Sequence, residues 1–344
     1  MPAMAEAIPI IDLSAPDPEA AAALGAACRG SGFFLAAGHG VPDDVVISMF
    51  DQIRSLFDLP IADKMALLQD ENNRGYTPLL EETLDPGSQT KARAIDVFGF
   101  AQGDTKEGYY IGREVPADSP EAQLPLHGPN LWPPEKLLPG FRATTEAYFS
   151  SVTALGHRLL RLLAISLDLE PGHFDPFFDP PMVFLRPLHY SAEVSRPGDG
   201  VFGAGAHSDY GMLTVLATDG QPGLQVHVGG AWVDVPAAPR CFVCNLGDML
   251  ERWTNGLYKS TLHRVVSTTG RDRYSIPFFF EPNFNAVVEA LPCCVTADRP
   301  AAYPPTTAGR HLLEKYAATH AGYGNGEAAA ATAAAGAAGA AGAV

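Results

Sequence analysis

The chain has 344 residues, 47% of them hydrophobic, and a formal net charge of −16, with a pI of about 4.9. That acidity argues against a nucleic-acid partner, because phosphate binding draws on clustered Lys and Arg. It fits a solvated, soluble surface on a protein with one large core or two modest ones.

The N-terminal stretch from Met1 to Ile11 has no basic residue and no Arg/Ser-rich amphipathic pattern, so no transit peptide is expected. No run of about twenty apolar residues occurs, so no membrane span is expected either. A cytoplasmic location follows as the expectation. Ile8 to Leu13 reads as a short strand, and Ser14 and Asp17 as candidate caps for the alanine-rich helix Glu19 to Cys28. Gly32 to Leu35 reads as a second buried strand, turning at Gly38-His39-Gly40, where His39 reads as a loop residue. From Val46, the apolar residues Met49, Phe50, Ile53, Leu56 and Phe57 keep helical spacing, and Pro60 ends that helix.

Residues 70–135 are rich in turn formers, with one short strand at Lys106 to Ile111. A long helix follows, with Phe141, Tyr148, Val152, Leu155, Leu159, Leu162 and Leu163 on one face; His157 within it reads as structural. After Pro180, short apolar runs recur between Gly, Pro, Asp and Asn: Val183–Leu185, Leu213–Ala217, Leu224–Val228, Trp232–Val235, Cys241–Asn245, His263–Ser267 and Tyr274–Phe280. Such runs suggest a sandwich or jelly roll. Helices first and strands later give an α+β class with helices packed on a β core. The run from Glu327 to Val344 is almost all Ala and Gly and reads as a disordered tail.

The cysteines are Cys28, Cys241, Cys244, Cys293 and Cys294. An odd number without a secretory signal reads as free thiols. Cys241 and Cys244 sit in the apolar run Cys241-Phe242-Val243-Cys244 and read as small core residues rather than zinc ligands.

The chemistry concentrates in His207-Ser208-Asp209, His263 and Arg273-Tyr274-Ser275. Strand alternation would put His207 and Asp209 on one side. His263 would then have to come from a partner strand. Two imidazoles and one carboxylate suit ferrous iron with open positions. Arg273 in an apolar run needs an anion, and the guanidinium fork matches a carboxylate. Ser275 shares its face and can add a hydrogen bond.

In combination these motifs resemble the isopenicillin-N-synthase-like family of iron(II)/2-oxoglutarate-dependent oxygenases, over nearly the whole chain. Ile8 to Leu13, Gly32-Phe33-Phe34 and Gly38-His39-Gly40-Val41-Pro42 are similar to its N-terminal region, and Asn245-Leu-Gly-Asp248 to its catalytic core. The run from Asn245 to Arg264 resembles plant members. The resemblance implies a double-stranded β-helix (jelly roll) core flanked by helices. It implies Fe(2+) on His207, Asp209 and His263, and 2-oxoglutarate gripped by Arg273 and Ser275 and contacted by Tyr190. Many plant members carry Asn at the position of Leu188 and Tyr at that of His189.

The implied organisation is an N-terminal mixed region over 1–175, a catalytic core over 176–290, a C-terminal segment over 291–325 and the tail over 326–344. The implied activity is a dioxygenase that uses O2, oxidises a small-molecule substrate and releases succinate and CO2. An iron oxidase of the same fold that does not use 2-oxoglutarate, and a non-catalytic small-molecule binding protein, are the alternatives. Phe278 to Phe280 are candidate cavity residues.

Overall fold

A computed structural model describes residues 8–85, 87–89 and 103–319. The whole of the expected 326–344 tail lies outside the described residues, as do the end of the 291–325 segment and the start of the N-terminal stretch. The helical half of the expectation is met by α1 (Asp17–Arg29), α2 (Asp43–Phe57), the short α3 (Ile61–Met65) and α4 (Phe141–Ser166). Neither Ser14 nor Asp17 caps α1. Pro16 precedes the helix, no side chain caps it, and the Ser14 hydroxyl instead donates to Asp12 Oδ1 at 2.6 Å. Prolines preset the dihedral angle of a first helical turn, so the chain can enter the helix without a polar cap. The same device explains why α2 begins at Asp43, directly after Pro42, and not at Val46.

Among the described residues, nine strands form one sheet. Its order runs β1 (Ile10–Asp12), β2 (Phe33–Ala37), β11 (Phe242–Leu246), β8 (Leu213–Thr218), β13 (Arg273–Glu281), β5 (Met182–Leu185), β4 (Lys106–Gly112) and β3 (Gly75–Thr77), with β6 (Leu188–Tyr190) bridging β13 and β4. A four-stranded sheet faces it, in the order β10 (Ala231–Asp234), β9 (Leu224–Val228), β12 (His263–Val265) and β7 (Ala204–His207). All pairings are antiparallel except β1 with β2.

The large sheet is buried on both faces, and its alternation sorts the side chains into two cores. Phe34, Ala36, Phe242, Cys244, Leu246, Ile276, Phe278 and Phe280 pack toward α1, α2 and α4. Phe33, Leu35, Leu188, Tyr190 and Val243 face the small sheet with Ala204, Leu224, Val226 and Val265. Burial on both faces is why these strands read as unbroken apolar runs. It also corrects the reading of Phe278 to Phe280. Phe278 and Phe280 point into the helical core, and Phe279 alone points into the cavity between the sheets.

Gly156 lets α4 approach β13: a Cβ there would meet the Phe280 ring at 2.8 Å. Gly156→Ala is therefore expected to destabilise the fold by about 1–3 kcal/mol, the usual cost of overpacking. Urea unfolding checks this, and an unchanged midpoint would contradict it.

All five cysteines, each within the described residues, are free. Cys28 and Cys244 are fully buried, while Cys241 is only half-buried. No helix among the described residues is long and apolar enough to cross a membrane.

Beyond the β core, β14 (Val287–Val288) pairs with β15 (Thr306–Thr307), and α6 (Ala308–Thr319) follows. His311 on α6 bonds the backbone oxygen of Tyr210 at 2.8 Å, which ties this helix to the turn that follows β7.

Candidate active site

His207 ends β7 and His263 begins β12, and the two are direct cross-strand partners. Their ring centroids lie 4.3 Å apart. Asp209 is not on the strand: β7 stops at His207, and Asp209 falls in the turn beyond it. Strand alternation is therefore not what aims its carboxylate. The turn is docked on the start of α5 (Asp248–Trp253), where the Asp248 N–H donates to the Asp209 carbonyl at 2.8 Å. Gly247 permits that approach, since a Cβ there would meet the Gly211 oxygen at 2.3 Å. The Asn245-Leu-Gly-Asp248 motif is thus a clamp on the Asp209 turn.

One ligand atom from each of His207, Asp209 and His263 lies within 4.8 Å of the others. Asp209 Oδ1 is 4.0 Å from His207 Nε2 and 3.6 Å from His263 Nε2. The outer nitrogens are fixed: His207 Nδ1 bonds the Gly205 carbonyl at 2.8 Å, and His263 Nδ1 bonds the Thr261 carbonyl at 3.1 Å. A carbonyl only accepts, so each Nδ1 carries the hydrogen and each Nε2 keeps a lone pair for a metal. Asp209 Oδ2 is likewise occupied, accepting from Thr214 Oγ1 at 2.5 Å and Asn245 Nδ2 at 2.6 Å, which leaves Oδ1 toward the imidazoles.

Burial, reinforced by the neighbouring His263, pushes the pKa of His207 down to about 4. Burial opposes ionisation of Asp209, but the two imidazoles and the Thr214 and Asn245 hydrogen bonds outweigh it and hold the carboxyl below its usual range. Neutral imidazoles and an ionised carboxylate are the forms that bind a cation. This donor set, nitrogen-rich and open on one side to a cavity, fits ferrous iron.

Arg273 and Ser275 lie on β13, opposite Tyr190 and Leu188 of β6. Both face the same cavity as the His–Asp–His cluster, which is lined also by Tyr190 and Phe279. Arg273 is 3% exposed, yet its Nε and Nη1 have no hydrogen-bond partner among the described residues. Its guanidinium lies 4.8 Å from the centre of the Tyr190 ring. A buried guanidinium with open donors is costly unless an anion completes it. The orphaned donors therefore fit the carboxylate of a co-substrate.

His189 and His39 stand outside this cluster. His189 bonds Glu107 at 2.7 Å and Asp272 at 3.1 Å and stacks on Tyr274. Burial works against its protonation, but the two carboxylates hold its pKa above the ordinary value. His39 lies in a loop bonded to the Arg240 carbonyl.

Four polar residues near the site were not singled out from the sequence. Thr214 and Asn245 bond Asp209, Asp104 Oδ1 accepts the Gly205 N–H that backs His207, and Glu281 ends β13 beside the cavity. Asn245 does stand in a quoted motif, and Thr214 and Asn245 are both polar residues within apolar runs, which is the signal that could have found them.

Comparison with known proteins decides the family. Residues 8–135 match the non-haem dioxygenase in morphine synthesis N-terminal model, and residues 180–282 match the 2OG-Fe(II) oxygenase superfamily model. Azadirone synthase LFS of Melia azedarach is 34% identical over 318 residues, covering 89% of this chain and 91% of that protein.

The chain belongs to the 2OG-Fe(II) oxygenase superfamily.

The 2-oxoglutarate-Fe(II) type oxidoreductase hxnY of Emericella nidulans is 37% identical, covering 81% of this chain and 79% of its own. The solved structure of a full-length Neurospora crassa protein in complex with alpha-KG aligns with a TM-score of 0.78 at 31% identity, over 90% of this chain and 96% of that one. The expected fold, a double-stranded β-helix with flanking helices in the α+β class, is therefore that of a 2OG-Fe(II) oxygenase. This oxygenase is a 2-oxoglutarate-dependent dioxygenase that uses Fe(2+), 2-oxoglutarate and O2.

Proposed function

We propose that His207, Asp209 and His263 hold the ferrous ion, that Arg273 and Ser275 bind the distal carboxylate of 2-oxoglutarate, and that the enzyme hydroxylates a small molecule. The observation that carries this reading is the buried Arg273 guanidinium with open donors in the same cavity as the His–Asp–His cluster. When bound there, iron supplies the activation of dioxygen, coupled to oxidative decarboxylation of 2-oxoglutarate to succinate and CO2.

The chain's own residues orient and enclose. The Gly205 and Thr261 carbonyls fix the two imidazole tautomers, and Thr214 and Asn245 hold Asp209 so that one oxygen faces the metal. Tyr190 supports the plane of the Arg273 guanidinium through its ring face, a cation–π contact. Leu188, standing where many plant members have Asn, adds an apolar wall to the cavity, as do Phe33, Leu224 and Val265. These walls keep water from the reacting atoms and strengthen every electrostatic contact inside.

A second cavity adjoins the cluster and is lined by Tyr110, Phe184, Tyr210, Phe279, Leu312 and Tyr316, among others. Its aromatic lining suits a small organic substrate. The unpaired thiols favour a reducing, cytoplasmic setting.

Oxygen-dependent succinate formation with iron and 2-oxoglutarate, run across a metabolite panel with mass spectrometry of the oxidised product, tests the proposal. A product heavier by one oxygen atom is the expected result. Substrate oxidation that proceeds without 2-oxoglutarate would overturn it.

A further inference from the structure

Glu281 is 2% exposed and stands at the end of β13, on the same face as Arg273, Ser275 and Phe279. Alternation along that strand runs from the co-substrate grip to the second cavity. The side chain of Glu281 fills a notch at Gly211, where a Cβ would meet Oε1 at 1.7 Å. Its Oε2 accepts the Met212 N–H at 2.5 Å. Among the described residues, Oε1 has no hydrogen-bond partner and no cation lies within ion-pair distance of the carboxyl. The cavity it lines carries the rings of Tyr110, Phe184, Tyr210, Phe279 and Tyr316 beside the polar groups of Glu82, Arg186, His207 and Asp209, with the Tyr210 and Tyr316 rings 5.7 Å apart and perpendicular.

The surrounding charges already balance without Glu281. With ferrous iron and the dianionic co-substrate bound, their charges would cancel and Asp209 would offset Arg273. Lys106 lies against Asp104 and Glu82, and Arg186 pairs with Glu82 at 3.0 Å. An ionised Glu281 would be a buried charge without an ion-pair partner and with the like charge of Asp209 nearby, which is strongly disfavoured.

We propose that Glu281 is a substrate-binding residue that uses its free oxygen as an O–H donor, selecting a neutral, ring-bearing substrate by a carbonyl or hydroxyl oxygen. This deepens the iron and co-substrate reading and rests on it. Oε2 accepts from the backbone and so takes the carbonyl role, which leaves the hydrogen on Oε1. Burial is the largest influence on this group and pushes its pKa up to about 8, in keeping with that state. A buried neutral acid donor discriminates strongly. An analogue lacking the acceptor leaves the donor unpaired, and a cation gains no counter-charge.

The test is calorimetry on the full-length enzyme loaded with iron and 2-oxoglutarate without oxygen. Four bicyclic probes are compared: quinolin-2-one (neutral, carbonyl acceptor), naphthalene (no acceptor), N-methylquinolinium (cation) and 2-naphthoate (anion). Quinolin-2-one is expected to bind at least about tenfold more tightly than naphthalene and N-methylquinolinium, the order of discrimination one buried hydrogen bond provides. Glu281→Gln should retain that preference, because its amide oxygen can accept from Met212 and its NH2 can donate to the probe. Glu281→Leu should lose it. If the cation binds best, or if Glu281→Gln abolishes the preference, the carboxyl acts as an anion and the proposal fails. Equal or absent binding of all probes, with 2-oxoglutarate bound normally, overturns the role of Glu281 alone. Failure of 2-oxoglutarate to bind the wild-type protein brings down the co-substrate assignment and this proposal with it.

Discussion

Replacing Asp209 with alanine is expected to remove iron binding and turnover together. Asp209 supplies the anionic member of the cluster, and its carboxyl is held ionised against the cost of burial by the imidazoles, Thr214 and Asn245. Without it, two neutral imidazoles face the ion, and the Thr214 hydroxyl and Asn245 amide lose their common acceptor. Asn245→Ala keeps the ligand and loses only its support, so its expected effect is smaller, about 10–100-fold in metal affinity or activity. Iron content after gel filtration and succinate formation, with circular dichroism to monitor folding, read both variants. A folded Asp209→Ala protein that keeps one iron per chain would show that the ion sits elsewhere.

Arg273→Met is expected to weaken 2-oxoglutarate binding by roughly thirty- to several-thousand-fold, corresponding to the about 2–5 kcal/mol lost when one partner of a buried charge pair is truncated. The same substitution should not destabilise the ligand-free protein. There the guanidinium is 3% exposed, rests on the Tyr190 ring and has open donors, so removing it relieves an unpaired buried charge. The melting temperature of ligand-free Arg273→Met should equal or exceed that of the wild type. Saturating 2-oxoglutarate should then raise only the wild-type value, since a ligand at a hundred times its Kd contributes about 2.7 kcal/mol. A variant that melts lower when ligand-free but keeps its ligand shift would mean that Arg273 is a structural ion-pair member. The two measurements together separate a binding role from a folding role.

Much of this was legible in the sequence because it is local. The long apolar face of α4 and the short apolar runs of the β core gave the α+β class. Arg273 and Ser275 share a face by alternation alone, and both do face the cavity. That His263 must come from a partner strand followed from its distance, and it stands directly across from His207. Where local reasoning failed, a tertiary contact had replaced a local one. Asp209 is aimed by the start of α5 and not by strand period. The first helix begins behind Pro16 and not on a side-chain cap. Phe278 and Phe280 joined the helical core because the large sheet is covered on both faces, which a single apolar run cannot reveal.

The sequence by itself determined the oxidant: residue types able to bind iron and a carboxylate, in a text that marks the family. Only the tertiary structure decided what surrounds them. Asn245 meets Asp209 across 36 residues, Gly205 meets Asp104 across 101, and Glu281 reaches Met212 across 69. Periodicity and propensity act over a few residues, whereas these partners are brought together by sheet pairing and turn docking. The groups that surround the His–Asp–His cluster and line its cavities are therefore set by the folded chain, not by their neighbours in sequence.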